Sequence, residues 1–290
     1  MNLSELRAFC EVAEGRSFSV AAERLFITQP AVSKRIQALE LDLGTPLFDR
    51  VGKRVYVTQT GEMLLQQARK ILNLVTDTEK MVTNLRQSVA GKLNIATSHH
   101  IGLHRLAPVL RSFTDQFHNV ALNIDFEDSE VAHEMIRHGE TELAVVTLNP
   151  QGDDELVSTP LWDDSLTFVS AAPRRPASLE ELAGQPCVLP GTGTYTGRIV
   201  LDRFQSAGIN LEPAMSTNYL ETIGMLVSVG LGWSVLPSSM LGHLHEFDVD
   251  CPQMSRTLGV VTNPQRTMSN AADAFMEVLT TYRDPAYAPI

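Results

Sequence analysis

Two groups of residues in this chain carry polar chemistry at regular spacing. Thr28, Gln29, Pro30, Ser33, Lys34 and Gln37 fall on one side of a segment whose other side is apolar. Amides, hydroxyls and an ammonium spaced in this way on a helix surface can donate to and accept from base edges in a DNA major groove. The second group is Thr97, Ser98, His99 and His100, then Thr147, then residues 191–198 (GTGTYTGR), each following a short β-rich stretch. Hydroxyls beside the free N–H groups of a helix start suit a small anion such as a carboxylate or sulfate. Taken singly, each Ser or Thr is better explained as a helix cap. Their shared position at strand ends is what points to a pocket.

No catalytic constellation accompanies them. The sequence holds no GxSxG, no HExxH, no Walker loop and no GxGxxG between a strand and a helix, so a nucleophile elbow, a zinc-protease site and the common nucleotide loops are all missing. GTGTYTG lacks the lysine of a phosphate loop and reads as a cleft loop. His100 and His104 stand at i, i+4 with His99 adjacent, a spacing that can hold a divalent metal. No carboxylate or cysteine partner stands nearby in the sequence, so they read as solvent-facing histidines. No catalytic residue, metal ligand or cofactor is assigned, and the chain is not expected to be an enzyme.

The elements that must position the first group are helical. Leu3, Leu6, Phe9, Cys10 and Ala13 recur at three and four, which buries one helix face. Gly15 ends that helix, Ser17 can cap a second through Phe18, Ala21, Ala22 and Leu25, and a short turn at Phe26 and Ile27 follows. Thr28 is an N-cap candidate, and Pro30 fits a first helical turn, where its missing N–H costs nothing. Val32, Ile36, Leu39 and Leu43 then make the buried stripe of a third helix, opposite the polar face. From periodicity alone, a DNA-reading helix-turn-helix and a plain three-helix domain with a solvated face stand level. The next stretch favours the former. Residues 50–58 read as two short strands around a Gly-containing basic turn, a wing whose Arg50 and Arg54 can grip phosphate or the minor groove.

Leu64, Ala68, Ile71, Val75, Thr78, Val82 and Leu85 then alternate at four and three, a heptad seam without Gly or Pro over residues 62–90. Such a helix runs about 40 Å at 1.5 Å per residue and is expected to close at Gly91. One narrow apolar stripe needs a partner, either a second copy of the chain or its own globular part. Beyond it, KLNIAT, VALNIDFED, ELAVVTL, SLTFVSA, PCVLP, GWSVLP and LGVVTN are short β-rich runs separated by helical patterns, the signature of α/β lobes with mainly parallel sheets. The chain is expected to cross between two lobes near residues 162–166 and 262–267. In such sheets ligands bind at the carboxyl ends of strands.

Composition agrees with this division. The 290 residues are 43% hydrophobic and 20% charged, enough to bury cores in two or three domains. The net charge of −11 is uneven: 12 basic and 10 acidic residues up to position 90, then 11 and 24. Arg24, Lys34, Arg35, Arg50, Lys53 and Arg54 gather where a phosphate backbone can be met locally. No signal peptide and no apolar run long enough to span a membrane is evident, so a cytoplasmic protein with reduced Cys10, Cys187 and Cys251 is expected.

The run from Leu3 to Gly61, including FSVAAERLFITQPAVSKRIQALELDLGTPLFDR and VTQTG, resembles the winged helix-turn-helix of the LysR-type transcriptional regulators. IATSHHIGLHRLAPVL, ELAVVT and ETIGMLVSVGLGWSVLP resemble segments of that family's effector domain, which is similar in fold to periplasmic solute-binding proteins. The resemblance implies an α/β architecture with a winged helix-turn-helix at residues 1–60, a linker and dimerisation helix at 61–90, and a two-lobed effector domain at 91–290. Its lobes would cover residues 91–163 with 266–290, and 164–265. It further implies that Thr28, Gln29, Pro30, Ser33, Lys34 and Gln37 face promoter DNA from a helix-turn-helix at residues 18–37. Ser98, His99, His100, Thr147, Thr194, Tyr195 and Thr196 would line an inter-lobe cleft for a small, anionic metabolite. A homodimer or homotetramer acting on RNA polymerase belongs to the same expectation. His100, where many members have Thr, and Trp233, where a small or aliphatic residue is common, depart from the family pattern, so the usual effector is not carried over. Two other function classes remain: a ligand-binding protein whose N-terminal module grips a protein partner, and an enzyme with a fused helical domain.

Overall fold

The structure, a computed structural model, describes residues 1–51, 54–86 and 88–287. It divides into two compact units, Met1–Arg86 and Gln87–Ile290.

The first unit begins with three short helices, each started by a local signal. α1 (Leu3–Gly15) opens on a capping box, in which the Asn2 side chain accepts from Ser4 and Glu5 N–H and the Glu5 carboxylate accepts from Asn2 N–H. Ser17 Oγ accepts from Val20 N–H to cap α2 (Phe18–Arg24). α3 (Gln29–Leu43) starts after Thr28, whose extended backbone occupies the cap position while its side chain makes no cap hydrogen bond, so the sequence expectation holds for the position and not for the bond. Leu6, Phe9, Val12, Phe18, Ala21, Val32, Ile36, Leu39 and Leu47 form the core. The buried stripe of α3 stops at Leu39. Leu43, expected in it, is 41% exposed, because Gly44 takes a left-handed conformation (φ 69°) and turns the chain away one residue later. The Glu40 carboxylate then accepts from Leu47 and Phe48 N–H (2.8 and 3.4 Å), fixing the entry to the wing.

That wing is β1 (Phe48–Val51) paired antiparallel with β2 (Arg54–Val57). Its tip, Gly52 and Lys53, lies outside the described residues. α4 (Gln59–Asn84) follows, capped by Thr58. Gly61 is required at its start, since a Cβ there would stand 2.4 Å from the Leu47 carbonyl oxygen. Leu64 and Ala68 join the core. Farther along, Ile71, Leu74, Met81, Val82 and Leu85 are exposed. The helix ends at Asn84, short of the expected residue 90, and Gly91 (φ 106°) opens the next strand instead of closing the helix.

In the second unit, β3 (Gly91–Thr97) leads into α5 (His99–Ile101), a π turn at Gly102–Leu106 and α6 (Ala107–Gln116). β4 (Val120–Phe126), α7 (Ser129–His138) and β5 (Leu143–Thr147) complete a parallel β4–β3–β5 sheet. The chain leaves along β6 (Val157–Ser170) and builds a second lobe. Its parts are α8 (Leu179–Ala183), β7 (Val188–Leu189), α9 (Tyr195–Ser206), β8 (Met215–Ser216), α10 (Leu220–Ser228), β9 (Ser234–Pro237) and β10 (His245–Glu246). β11 (Met254–Thr262) returns, and α11 (Asn270–Thr281) packs on the first lobe.

β11 runs antiparallel to both β5 and β6, and β9 is antiparallel to β6, so the sheet is mixed where mainly parallel strands were expected. The reason is topological: a strand returning from the second lobe enters the first lobe's sheet from the opposite end. β6 pairs with β9 from Leu166, and β11 pairs with β5 from Leu258. The returning crossing therefore occupies residues 254–257 and precedes the expected 262–267. Separate apolar clusters serve the lobes, one around Phe113 and Phe275 and one where Trp233 stacks on Phe204 with ring centroids 5.7 Å apart. Among the described residues, no helix is long and apolar enough to cross a membrane.

Cys10 and Cys187 are buried and Cys251 is half-buried. Burial pushes the Cys10 thiol up to about 12 and raises the other two. The thiolate is the reactive form, so a disulfide reagent at pH 7 should meet no fast-reacting thiol in the folded chain and all 3 after denaturation. A burst of labelling in the native protein would contradict this.

Candidate functional site

The first site is the outer face of α3. Thr28, Gln29, Pro30, Lys34 and Gln37 are exposed and Ser33 is half-exposed, while Val32, Ile36 and Leu39 hold the opposite face in the core. The Gln29 amide donates to Ser33 Oγ (3.1 Å), which fixes one side chain of the face and leaves its second N–H and its carbonyl free to read a base edge. From Gln29 to Gln37 the helix carries Lys34 and Arg35 and no acid; its first acid, Glu40, is turned toward the wing. Arg54 is exposed on β2. Arg50 pairs through its backbone with Val55, and its side chain lies outside the described residues.

The second site is the cleft between the lobes of the second unit. Ser98, His99, His100, Thr147, Thr194, Tyr195 and Thr196, gathered from separate parts of the sequence, line one cavity of about 50 Å³. Ser98 and the histidines follow β3, and Thr147 ends β5. Thr194 Oγ1 accepts from Gly197 N–H (3.0 Å), capping α9, with Tyr195 and Thr196 in its first turn. The glycines of GTGTYTG have a steric role: a Cβ on Gly197 would lie 2.2 Å from the Gly191 carbonyl oxygen, so α9 can start this close to β7 only without one.

Sequence reasoning missed the charged members. Arg256 on β11 sits opposite Asp164 on β6, in register at the crossing. Its side chain is 5% exposed and that of Asp164 3%. Arg256 Nε donates to Asp164 Oδ2 (2.8 Å) and Nη1 to Thr196 Oγ1 (2.8 Å), tying the crossing strands to the start of α9. Two contacts then join the lobes. Asn218 Nδ2 donates to Asp128 Oδ2 (2.6 Å). Tyr195 N–H, at the amino end of α9, donates to Glu130 Oε1, with Arg198 3.8 Å from the same oxygen. A carboxylate of the first lobe thus occupies the helix start where an anion is favoured.

At one end of the cleft His99, His100 and His104 surround Glu221, the second residue of α10. Their nearest ring nitrogens stand 3.6, 3.7 and 3.5 Å from its oxygens. The expected solvent-facing role fails for His100, which is 4% exposed, because the helix after β3 turns it inward against Asp164. Burial pushes the His100 imidazole below its ordinary value. The neighbouring His100 ring holds the Glu221 carboxyl down to about 2. The carboxylate absent from the local sequence is supplied by a helix distant in the chain.

Known proteins resemble the chain over its whole length. Residues 3–62 match the bacterial regulatory helix-turn-helix of the lysR family, and residues 86–283 match the LysR substrate binding domain. An uncharacterized HTH-type transcriptional regulator of Escherichia coli strain K12, YeiE, is 30% identical over 300 residues, covering 100% of this chain and 99% of its own. A full-length OxyR variant from Pseudomonas aeruginosa is similar in structure, with TM-score 0.69 at 24% identity over 97% of this chain and 94% of that one. CbnR complexed with its target DNA gives TM-score 0.65 at 19% identity, over 97% and 100%.

Proposed function

The chain belongs to the LysR-type transcriptional regulators, and from that premise we propose that it reads promoter DNA through α3 and the wing as a homodimer or homotetramer, under the control of a small anion bound between the lobes. Members of this family are regulators rather than enzymes, with a DNA-binding and an effector-binding domain. Thr28, Gln29, Pro30, Ser33, Lys34 and Gln37 are the residues proposed to face the groove, with Arg50 and Arg54 on the flanking backbone. Phosphate contacts position such a protein and base-edge contacts specify its site. Two copies are needed to read two half-sites, and the exposed Ile71, Val82 and Leu85 of α4 support pairing with a second copy. The same assembly would present itself to RNA polymerase.

The observation that carries the anion reading is Glu130. Its carboxylate already sits on the amino end of α9, so the site accepts this charge and shape. A free carboxylate or oxyanion taking that place would exchange an internal contact for a ligand contact, among the hydroxyls of Ser98, Thr147, Thr194 and Thr196. It can change DNA binding only by preferring one lobe arrangement, since equal affinity for both shifts nothing.

The test is fluorescence anisotropy on DNA from just upstream of the gene, against scrambled DNA, across a salt series. Lys34→Ala should weaken binding to both DNAs and reduce the salt slope by about 1, and Gln29→Ala should cost about 1–3 kcal/mol on the promoter alone. Promoter binding no tighter than scrambled at every salt concentration would refute the reading.

A further inference from the structure

Glu221, on α10 of the second lobe, points across the cleft at the first turns of the helix that follows β3 in the first lobe. His104 Nε2 and His100 Nδ1 lie 3.5 and 3.7 Å from its Oε1. These separations are too long for hydrogen bonds. Both ring nitrogens of His100 and both Glu221 oxygens are buried without a hydrogen-bond partner. An imidazole and a carboxylate left unmet in a buried place are costly, so the arrangement calls for something that satisfies them together.

The spacing is that of donors around one small cation. Donors bound at 2.0–2.1 Å to a tetrahedral zinc ion stand about 3.3–3.4 Å apart. Here the donor atoms of His100, His104 and Glu221 all lie within 4.8 Å of one another, so on binding the two separations to Glu221 close by roughly a few tenths of an ångström and the widest pair by up to roughly 1.4 Å. We propose that His100, His104 and Glu221 bind one divalent transition-metal ion of the zinc class, which ties the two lobes together across the cleft.

The surrounding groups fit that occupant. Two imidazoles and one carboxylate make a donor set that zinc-class ions take while keeping a fourth position open, and His99 and His100 both line the cleft cavity. The other nitrogen of His100 faces Asp164 Oδ2 at 3.8 Å, the place where a carboxylate commonly backs a metal-bound histidine. The helix widens into its π turn at Gly102–Leu106, which begins after His100 and contains His104, and the two rings' centroids stand 4.7 Å apart. Among the described residues, no other group of His, Cys, Asp and Glu is arranged to hold a metal ion in this way.

Because its ligands come from both lobes, the ion favours the closed arrangement by differential affinity. That consequence for DNA binding rests on the regulator reading above; the site itself rests on the three side chains. The experiment is a zinc titration of the full chain, stripped with a chelator, followed by calorimetry and by thermal melting. Wild type is expected to bind one ion at this site and to melt at a higher temperature with zinc, by mass action. His104→Ala and Glu221→Gln, one at an exposed position and one near-isosteric, are each expected to weaken that binding at least roughly 10- to 100-fold and to lose the thermal shift. His118→Ala, at an exposed histidine elsewhere, should change neither. No zinc binding by wild type, or equal binding by wild type and both variants, overturns the proposal. Anisotropy with promoter DNA in chelator runs in parallel: if promoter binding is no better than scrambled while the zinc pattern holds, the regulator reading falls and the metal site stands.

Discussion

Asp164→Ala should destabilise the effector domain by about 3–5 kcal/mol, the usual cost of removing one partner from a buried ion pair. Arg256 cannot escape by losing its proton at any ordinary pH. It lies in the sheet at the crossing, 5% exposed, with Nε and Nη2 2.8 and 2.7 Å from Asp164 Oδ2. Without the carboxylate, a full positive charge remains on a side chain that is 5% exposed and has lost its partner. Urea unfolding of the second unit measures the loss, as a fall in midpoint at unchanged slope. Asp164→Leu combined with Arg256→Met removes both charges at similar volume and should recover most of it, since well-packed apolar replacements of buried pairs are often neutral or better. Recovery of stability without recovery of ligand response would then separate the two roles of the pair: Arg256 also donates to Thr196 Oγ1 at the start of α9. A loss below about 1 kcal/mol in Asp164→Ala would mean the pair is far better solvated than its burial indicates.

The pair also marks the boundary of what the sequence could tell. The winged helix-turn-helix is legible because its signals are local: apolar residues at three and four, Ser17 before α2, Pro30 in the first turn of α3. The neutral polar residues of the cleft were found by one rule, that strand ends and helix starts meet there, and the structure brings them to one cavity. Arg256–Asp164, Glu130–Tyr195 and Glu221 with its histidines join positions far apart in the chain, and a single sequence carries no periodicity that links them. The same holds for direction. Alternating β and α patterns suggested parallel strands, but whether a strand returns along or against its neighbour depends on which lobe it comes from, and β11 returns against. Leu43 and the end of α4 failed for another reason. An apolar periodicity can continue past the point where its helix has a surface to pack on.

Ile36→Asp should abolish DNA binding while leaving the effector domain folded. Ile36 is 1% exposed, between Val32 and Leu39 on the inner face of α3. A carboxylate there has no buried partner, and such substitutions fall at the upper end of single-mutant effects, about 4–5 kcal/mol. A domain of this size holds roughly 5–15 kcal/mol in total, so most of its stability goes. The second unit has its own apolar clusters, and among the described residues none of them includes a residue of the first. Calorimetry should therefore show one transition moved sharply down or lost and the other in place, with zinc still raising the one that remains. Lys34→Ala makes the opposite case: it removes an exposed charge, should change stability by less than about 0.5 kcal/mol, and weakens DNA binding with both transitions intact. A single transition lowered as a whole by Ile36→Asp would show instead that the two units unfold as one, and that the reading head depends on the sensor for its stability.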